Sequence, residues 1–372
     1  MSPPFNIPGQ VFLVGGSVRD ELLGVSVSDS EQGQSDRDWV VTGTTPQEME
    51  QVGLKRVGKA FPVFLDPKTG DQYALARTET KTGRGHQAFE FQFDPSVELV
   101  EDLKRRDLTI NAMARDSSGK LIDPYGGEKD LEDKVLRHVS GAFSEDPLRL
   151  FRVARFTATM PEFEVTPETL ELMSSMRGEL VDLSAERVWQ EYAKAMSGLT
   201  PFRFFETLSE SNALDPWFSG LAIISLVSLL KELWLRDTNA MAAIAWLHDE
   251  STSVSLMRRL KAPGYVVRLL RDVARHGHAL SSYSGLKPED ILVLLEKSNA
   301  FRPGKAFAKL VNSVKECSTV DLTELIELVE NVKRVRVFDV PQEEYGWWLR
   351  KARLDEISRH FSGSDNSGTS DA

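Results

Sequence analysis

Ser35-Asp36-Arg37-Asp38-Trp39-Val40-Val41 sets two carboxylates two residues apart at the mouth of a short apolar run. Trp39, Val40 and Val41 have strong strand preference, so the run reads as a β-strand. In a strand, residues i and i+2 share a face, which places Asp36 and Asp38 side by side and turns Arg37 away. Two ionised carboxylates so placed repel. Either they share a proton, which raises one pKa, or they bind a cation. Oxygen-only ligands at neutral pH suit Mg²⁺, which takes one or two carboxylates together with substrate phosphates. A solvated acidic pair at a strand end is the alternative that these seven residues leave open.

Upstream, Val11-Phe12-Leu13-Val14 is a short buried-type strand that runs into Gly15-Gly16-Ser17-Val18-Arg19. The glycines break the strand and let a ligand approach the backbone. A helix is expected from near Ser17 to a stop at Gly24. Its first N–H groups and positive dipole end suit phosphate, and Arg19 adds a fork of donors. The turn is not a P-loop, because GxxxxGK[S/T] is missing. Residues 25–35 form a polar, serine-rich connection, expected as a surface loop.

Downstream, Thr45-Pro46-Gln47-Glu48 opens a helix with Thr at the cap, Pro at the first position and Glu in the first turn. Val63–Leu65 and Tyr73–Ala76 read as strands. Arg77–Phe89 is polar, holds Gly83 and Gly85, and is expected to be a mobile loop. Leu103–Ala114 is expected as one helix, followed by a strand and turn over Leu121–Gly127. Ser144–Phe156 is expected as a helix carrying Asp146, Arg149, Arg152 and Arg155 at every third position. After it the chain reads as helices only, among them Pro167–Met176, Ala185–Met196, Phe202–Ser211 and Ala222–Leu235, with a last one beginning at Trp347. The architecture is therefore an α/β unit to about residue 140 and a helical remainder.

The 372 residues suffice for two or three domains, and 41% hydrophobic with 27% charged residues is ordinary for a globular protein. The single cysteine, Cys317, excludes an internal disulfide framework and fits a reducing cytosol. The N-terminus lacks the basic and apolar regions of a signal peptide, and no apolar run is long enough to span a bilayer. The expected location is cytoplasmic, with no membrane and no protein partner indicated. A net charge of −11 argues against a general nucleic-acid binder. Basic residues nevertheless cluster at Lys104-Arg105-Arg106, at Arg149, Arg152 and Arg155, and at Lys333-Arg334-Val335-Arg336.

Six signals now stand in one order: the Gly-Gly-Ser turn with Arg19, Asp36-x-Asp38, Arg106-Asp107-Leu108-Thr109-Ile110-Asn111-Ala112, Asp123-Pro124-Tyr125-Gly126-Gly127, Glu145-Asp146-Pro147-Leu148-Arg149, and Glu186-Arg187-Val188-Trp189. With them the chain resembles the bacterial class II CCA-adding tRNA nucleotidyltransferases, within the tRNA nucleotidyltransferase/poly(A) polymerase family. The resemblance is dense over residues 10–200 and thinner beyond. It implies a polymerase-β-like nucleotidyltransferase head (1–140), a helical neck for base recognition (141–200) and a body and tail for tRNA (201–361); residues 362–372, rich in Ser, Gly and Asp, are expected to be a disordered end. The implied activity is addition of C, C and A to tRNA from CTP and ATP. Relatives confined to C or A addition, poly(A) polymerases, and a catalytically silent RNA-binding protein are the alternatives.

The resemblance assigns residues one at a time. Asp36 and Asp38 match the metal-binding carboxylates of a two-metal scheme with Mg²⁺, acting on the tRNA 3′ end at its acceptor region. Gly16 and Arg19 match triphosphate positions, Arg106 a nucleotide-binding arginine, and Asp107 and Asn111 supports of the site. Asp146 and Arg149 match the protein template for the incoming base, Arg152 and Arg155 further nucleotide contacts, and Glu186 and Arg187 structural support in the neck. The template also makes chemical sense. Cytosine and adenine both offer an amino donor beside a ring-nitrogen acceptor, the complement of a carboxylate beside a guanidinium. Guanine and uracil reverse the pattern and leave buried polar groups unpaired. Many relatives also carry a metal-dependent HD phosphohydrolase. Here only His248-Asp249 matches it, so that motif is read as degenerate, a helix cap rather than a ligand set.

Overall fold

The structure, a computed structural model, describes residues 7–25, 37–57, 63–81, 89–92, 95–234 and 240–364. Two compact units divide the chain, residues 1–217 and 218–372.

The first unit begins with nine strands: β1 (Gln10–Val14), β2 (Asp38–Thr42), β3 (Lys55–Val57), β4 (Val63–Leu65), β5 (Gln72–Leu75), β6 (Thr78–Lys81), β7 (Phe89–Gln92), β8 (Ala114–Arg115) and β9 (Leu121–Ile122). Seven of them make one mixed sheet in the order β3-β4-β5-β2-β1-β8-β9. β1 and β2 are antiparallel, with Phe12 opposite Val40 and Leu13 opposite Trp39. The end of β1 therefore meets the start of β2, and the Gly15-Gly16 turn and Asp38 emerge at the same end of the sheet. β2 and β5 are parallel, with Trp39 opposite Tyr73; the two rings stack with centroids 5.9 Å apart. Phe12, Val14 and Val40 bury one face against Leu99 and Leu103. The expected strands thus form, although Asp36 and the connection 26–35 lie outside the described residues.

Four helices serve this sheet: α1 (Gly16–Leu22), α2 (Pro46–Gln51), α3 (Leu99–Lys104) and α4 (Gly127–Glu132). α2 carries the complete capping box, with Glu48 N–H donating to Thr45 Oγ1 and Thr45 N–H donating to Glu48. α4 is capped by Asp123, which accepts the N–H groups of Gly127 and Glu128 at 2.8 and 2.9 Å.

Three expectations for this unit need correction. Leu103–Ala114 is not one helix. α3 ends at Lys104, and a short 3₁₀ turn over Thr109–Asn111 precedes β8. Asp107 accepts the N–H of Leu108 at 2.9 Å, and Thr109 donates to Arg137 O. These local and long-range partners displace helical ones. Residues 77–89 are not wholly a loop, since Thr78–Lys81 pairs antiparallel with Phe89–Gln92; residues 82–88 lie outside the described residues. The helix expected from Ser144 begins at Leu148, because Asp146, extended at φ −123° and ψ 106°, precedes Pro147. A residue before proline is pushed out of the α region.

The rest of the unit is α5 (Leu148–Thr159), α6 (Pro167–Met176), α7 (Ala185–Met196) and α8 (Pro201–Glu210). α5 packs on α7 and α8 through Phe151, Tyr192, Phe204 and Phe205. The region is not purely helical: β10 (Val135–Leu136) pairs in parallel with β11 (Glu164–Val165).

Among its described residues the second unit contains helices joined by short irregular segments, and no strand. It comprises α9 (Ile223–Trp234), α10 (Ala243–Leu247), α11 (Glu250–Arg259), α12 (Gly264–Ser281), α13 (Pro288–Lys297), α14 (Ala306–Ser318), α15 (Thr323–Arg334) and α16 (Tyr345–Ser364). Leu226, Leu230, Met257, Leu270, Val273 and Leu310 are among its buried side chains. The tail expected to be disordered from residue 362 is helical to Ser364, and residues 365–372 lie outside the described residues.

Candidate active site

A cavity of about 550 Å³ opens where β1 ends and β2 begins, walled by the sheet and residues 105–111 on one side and α5 and α7 on the other. Gly16, Arg19, Asp38, Arg106, Asp107, Asn111, Asp146, Arg149, Arg152 and Arg155 all line it. Asp36 lies outside the described residues. Asp38 begins β2 and is exposed. Gly15 turns the chain with φ +68°, and a Cβ there would stand 2.8 Å from Arg106 Nη1. Only glycine combines that backbone angle with so close an arginine.

One chain of polar contacts crosses the cavity wall. Arg19 Nε and Nη2 donate to Asp20 Oδ1 at 2.9 and 2.8 Å, and its Nη1 donates to Asn111 Oδ1 at 2.7 Å. Asn111 Nδ2 donates to Asp107 Oδ1 at 3.0 Å, and Arg152 Nε donates to Asp107 Oδ2 at 2.7 Å. Arg152 also lies 3.9 Å from Glu191 on α7, whose other oxygen takes Arg155 Nε at 2.5 Å. Burial pushes the Asp107 carboxyl up, but the Arg152 charge, the Asn111 amide and the Leu108 N–H outweigh it and hold it below the usual carboxylate range. The same balance holds at buried Asp102, where burial is outweighed by Arg105 and Arg106.

The expected neighbour pair of Asp146 and Arg149 is not formed. Asp146 instead takes Arg187 in a two-point contact, Nη2 to Oδ2 at 2.6 Å and Nη1 to Oδ1 at 3.3 Å. Arg149, 9% exposed, donates to Arg105 O at 2.6 Å and to Ala142 O. The physical reason is that Asp146, extended before Pro147, sits ahead of α5 rather than on it: its Oδ1 accepts the Leu148 N–H at 3.1 Å at the helix start, and its carboxylate meets Arg187. Both residues still face the cavity. Arg187 lines it too, and so do Arg77 and Arg105, which the sequence reading did not assign to the site. The signal available for α7 was Arg187 and Glu191, one helical turn apart, each meeting an opposite charge from residues 146–155.

Comparison with known proteins fits this arrangement. Residues 11–137 match the poly A polymerase head domain family, and residues 162–224 match the family described as "Probable RNA and SrmB- binding site of polymerase A". A CCA-adding enzyme of Coxiella burnetii is 39% identical over 94% of each chain. The protein belongs to the CCA-adding enzyme family. A second member, the multifunctional CCA protein of Aromatoleum aromaticum, is 43% identical over 82% of this chain and 83% of that one. The solved Thermotoga maritima CCA-adding enzyme complexed with tRNA_CCA shares the fold, with a TM-score of 0.67, 18% identity, and 95% and 91% of the two chains covered.

Within this family member the His248-Asp249 corner of the second unit has a different character. Both ring nitrogens of His248 meet the backbone: Nδ1 meets Ile244 O at 2.9 Å, and Nε2 accepts the Ala222 N–H at 2.9 Å. Asp249 caps α11 by accepting the Thr252 N–H at 2.7 Å. His278 Nε2 contacts Trp246 O at 2.9 Å. Among the described residues no group of three or more His, Cys, Asp and Glu could hold a metal ion.

Proposed function

We infer that this enzyme adds C, C and A to the 3′ end of tRNA from CTP and ATP, releasing pyrophosphate. Family membership supports the reaction, and the cavity is the observation that carries its location. Arg19, Arg77, Arg105, Arg106, Arg149, Arg152, Arg155 and Arg187 surround it against Asp38, Asp107 and Asp146. So marked a local excess of cations, in a chain of net charge −11, suits a triphosphate and an RNA end.

Among the described residues no His or Cys lines this cavity, so the donor set is oxygen-based and suits a hard divalent cation, Mg²⁺. Asp38, with Asp36 two residues before it, would hold such ions, which when bound activate the tRNA 3′-hydroxyl and neutralise triphosphate charge. The remaining work falls to the chain's own side chains. The Gly15-Gly16 turn and Arg19 receive the triphosphate, with Arg106 beside them. Arg152 and Arg155 complete the cationic wall, and Asp107 and Asn111 fix Arg152 and Arg19. Asp146 and Arg149 read the base: a carboxylate acceptor and a guanidinium donor suit C and A and leave polar groups unpaired with U and G, at roughly 1–3 kcal/mol each. Arg187 holds Asp146 until a base edge competes for it. The division into head, neck, body and tail follows from the same reading, and tRNA maturation with a lone buried Cys317 points to the cytoplasm.

The test supplies tRNA lacking one, two or three terminal nucleotides with each nucleoside triphosphate separately, with Mg²⁺ or with chelator. Stepwise C, C and A, stopping there and only with metal, is the expected result. Addition of C alone, of A alone, or of long A tracts would identify a partial-activity enzyme or a poly(A) polymerase. tRNA binding with no incorporation would leave only an RNA-binding protein.

A further inference from the structure

Phe156, near the end of α5, is 4% exposed and borders the cavity. Three guanidinium carbons surround its ring: Arg155 at 4.0 Å from the centroid, Arg19 at 5.3 Å and Arg152 at 5.9 Å. Arg19 comes from α1 and the other two from α5. Three like charges around one apolar group need both anions and a surface that tolerates cations. The anions are Asp20, Asp107 and Glu191, each holding one guanidinium by its edge. Arg19 is gripped on its other side by Asn111 as well, whereas the single Nε contact of Arg155 with Glu191 leaves its guanidinium plane to swing about the ion pair. An aromatic face, negative at its centre, fixes that plane. Phe156, Arg19 and Arg155 also border a second cavity of about 440 Å³, so this group forms the partition between two open spaces. Burial weakens the hold of Arg155 on its proton, with Glu191 acting against it, so the ring stands next to a cation that has given up much of its water.

We propose that Phe156 is a positioning residue for triphosphate binding, its ring face setting the orientation of Arg155 so that the remaining donors of that guanidinium meet phosphate oxygens. The proposal rests on the reading of this cavity as the nucleotide site. The ring is more than filler, because a side chain of similar size and polarity without a π face would fill the same space and leave the Arg155 guanidinium turning.

The test compares Phe156→Leu, Phe156→Met and Phe156→Tyr with the parent, measuring tripolyphosphate binding by calorimetry without tRNA, and KM and kcat for CTP and ATP with it. Leu and Met should weaken tripolyphosphate binding and raise the nucleotide KM about tenfold, with kcat changing less than twofold, and Tyr should restore both. The aliphatic pair guards against one variant folding poorly, and the melting temperature of each shows which are folded. Equal tripolyphosphate affinity in the parent and a folded aliphatic variant, or equal losses in Leu and Tyr, would overturn the role of the ring and leave the nucleotide site standing. A parent that does not bind tripolyphosphate would overturn the site itself and this inference with it.

Discussion

The cavity of the first unit and the His248-Asp249 corner of the second both contain polar, ligand-like side chains, used in opposite ways. In the cavity, charged and polar groups from α1, residues 106–111, α5 and α7 converge on a shared space and hold one another in place. At the corner, both nitrogens of His248 and the carboxylate of Asp249 are engaged by backbone of their own neighbourhood. A pair of letters resembling a metal motif is therefore no measure of a site. What decides is whether lone pairs point into open space or close a helix end.

The largest test of that contrast is Asp38→Asn, with Asp36→Asn beside it. Each should lower nucleotide incorporation on the order of 10³-fold while tRNA binding persists. A loss of less than tenfold for both would remove the carboxylates from the chemistry. Next is base choice. Arg149→Ala should reduce the preference for C and A over U and G by about 10–100-fold, read from kcat/KM for the four triphosphates.

Asp107→Asn sharpens the comparison through pH. It leaves Arg152 without its main partner, at roughly 2 kcal/mol, near or below the lower end for a broken buried pair because Arg152 keeps 37% of its side chain exposed. The folded-state carboxyl of Asp107 is held low. Its stabilisation is thus present above the unfolded value of about 3.9 and is lost as pH falls through the lower folded value. Melting curves of parent and variant should differ at pH 7, and the gap should begin to narrow only below about pH 4. The smallest effect belongs to the corner. Asp249→Ala should lower the melting temperature slightly as a lost helix cap and leave incorporation intact. Metal-dependent phosphate release from a nitrophenyl phosphate ester or a 2′,3′-cyclic nucleotide, present in the parent and lost in the variant, would break the contrast altogether.

Much of this was legible in the sequence because it rests on local rules. Val11–Val14 and Trp39–Val41 carry strand preference in their own side chains, Thr45-Pro46 with Glu48 writes its own cap, and Pro167–Met176 and Ala185–Met196 match α6 and α7 to the residue. The family pattern gathered ten described residues around one cavity. The misses have non-local causes. Leu103–Ala114 has helical composition, yet its backbone finds partners at Arg137 and in the side chain of Asp107. The partnership of Asp146 with Arg187 spans 41 residues, and no spacing rule reaches so far. The displacement of Asp146 from the helix, by contrast, was written in Pro147.

The relay from Asp20 through Arg19, Asn111, Asp107 and Arg152 to Glu191 binds residues on both sides of position 140 into one electrostatic object. A chimera made by exchanging heads at about residue 140 would inherit half of that ladder from each parent. Unmatched rungs would strand a cation or an acid in a dry wall, even if both halves came from active enzymes. Module swapping among these proteins should therefore move residues 1–217 as a single piece, since the seam visible in the sequence is not the seam that the charges respect.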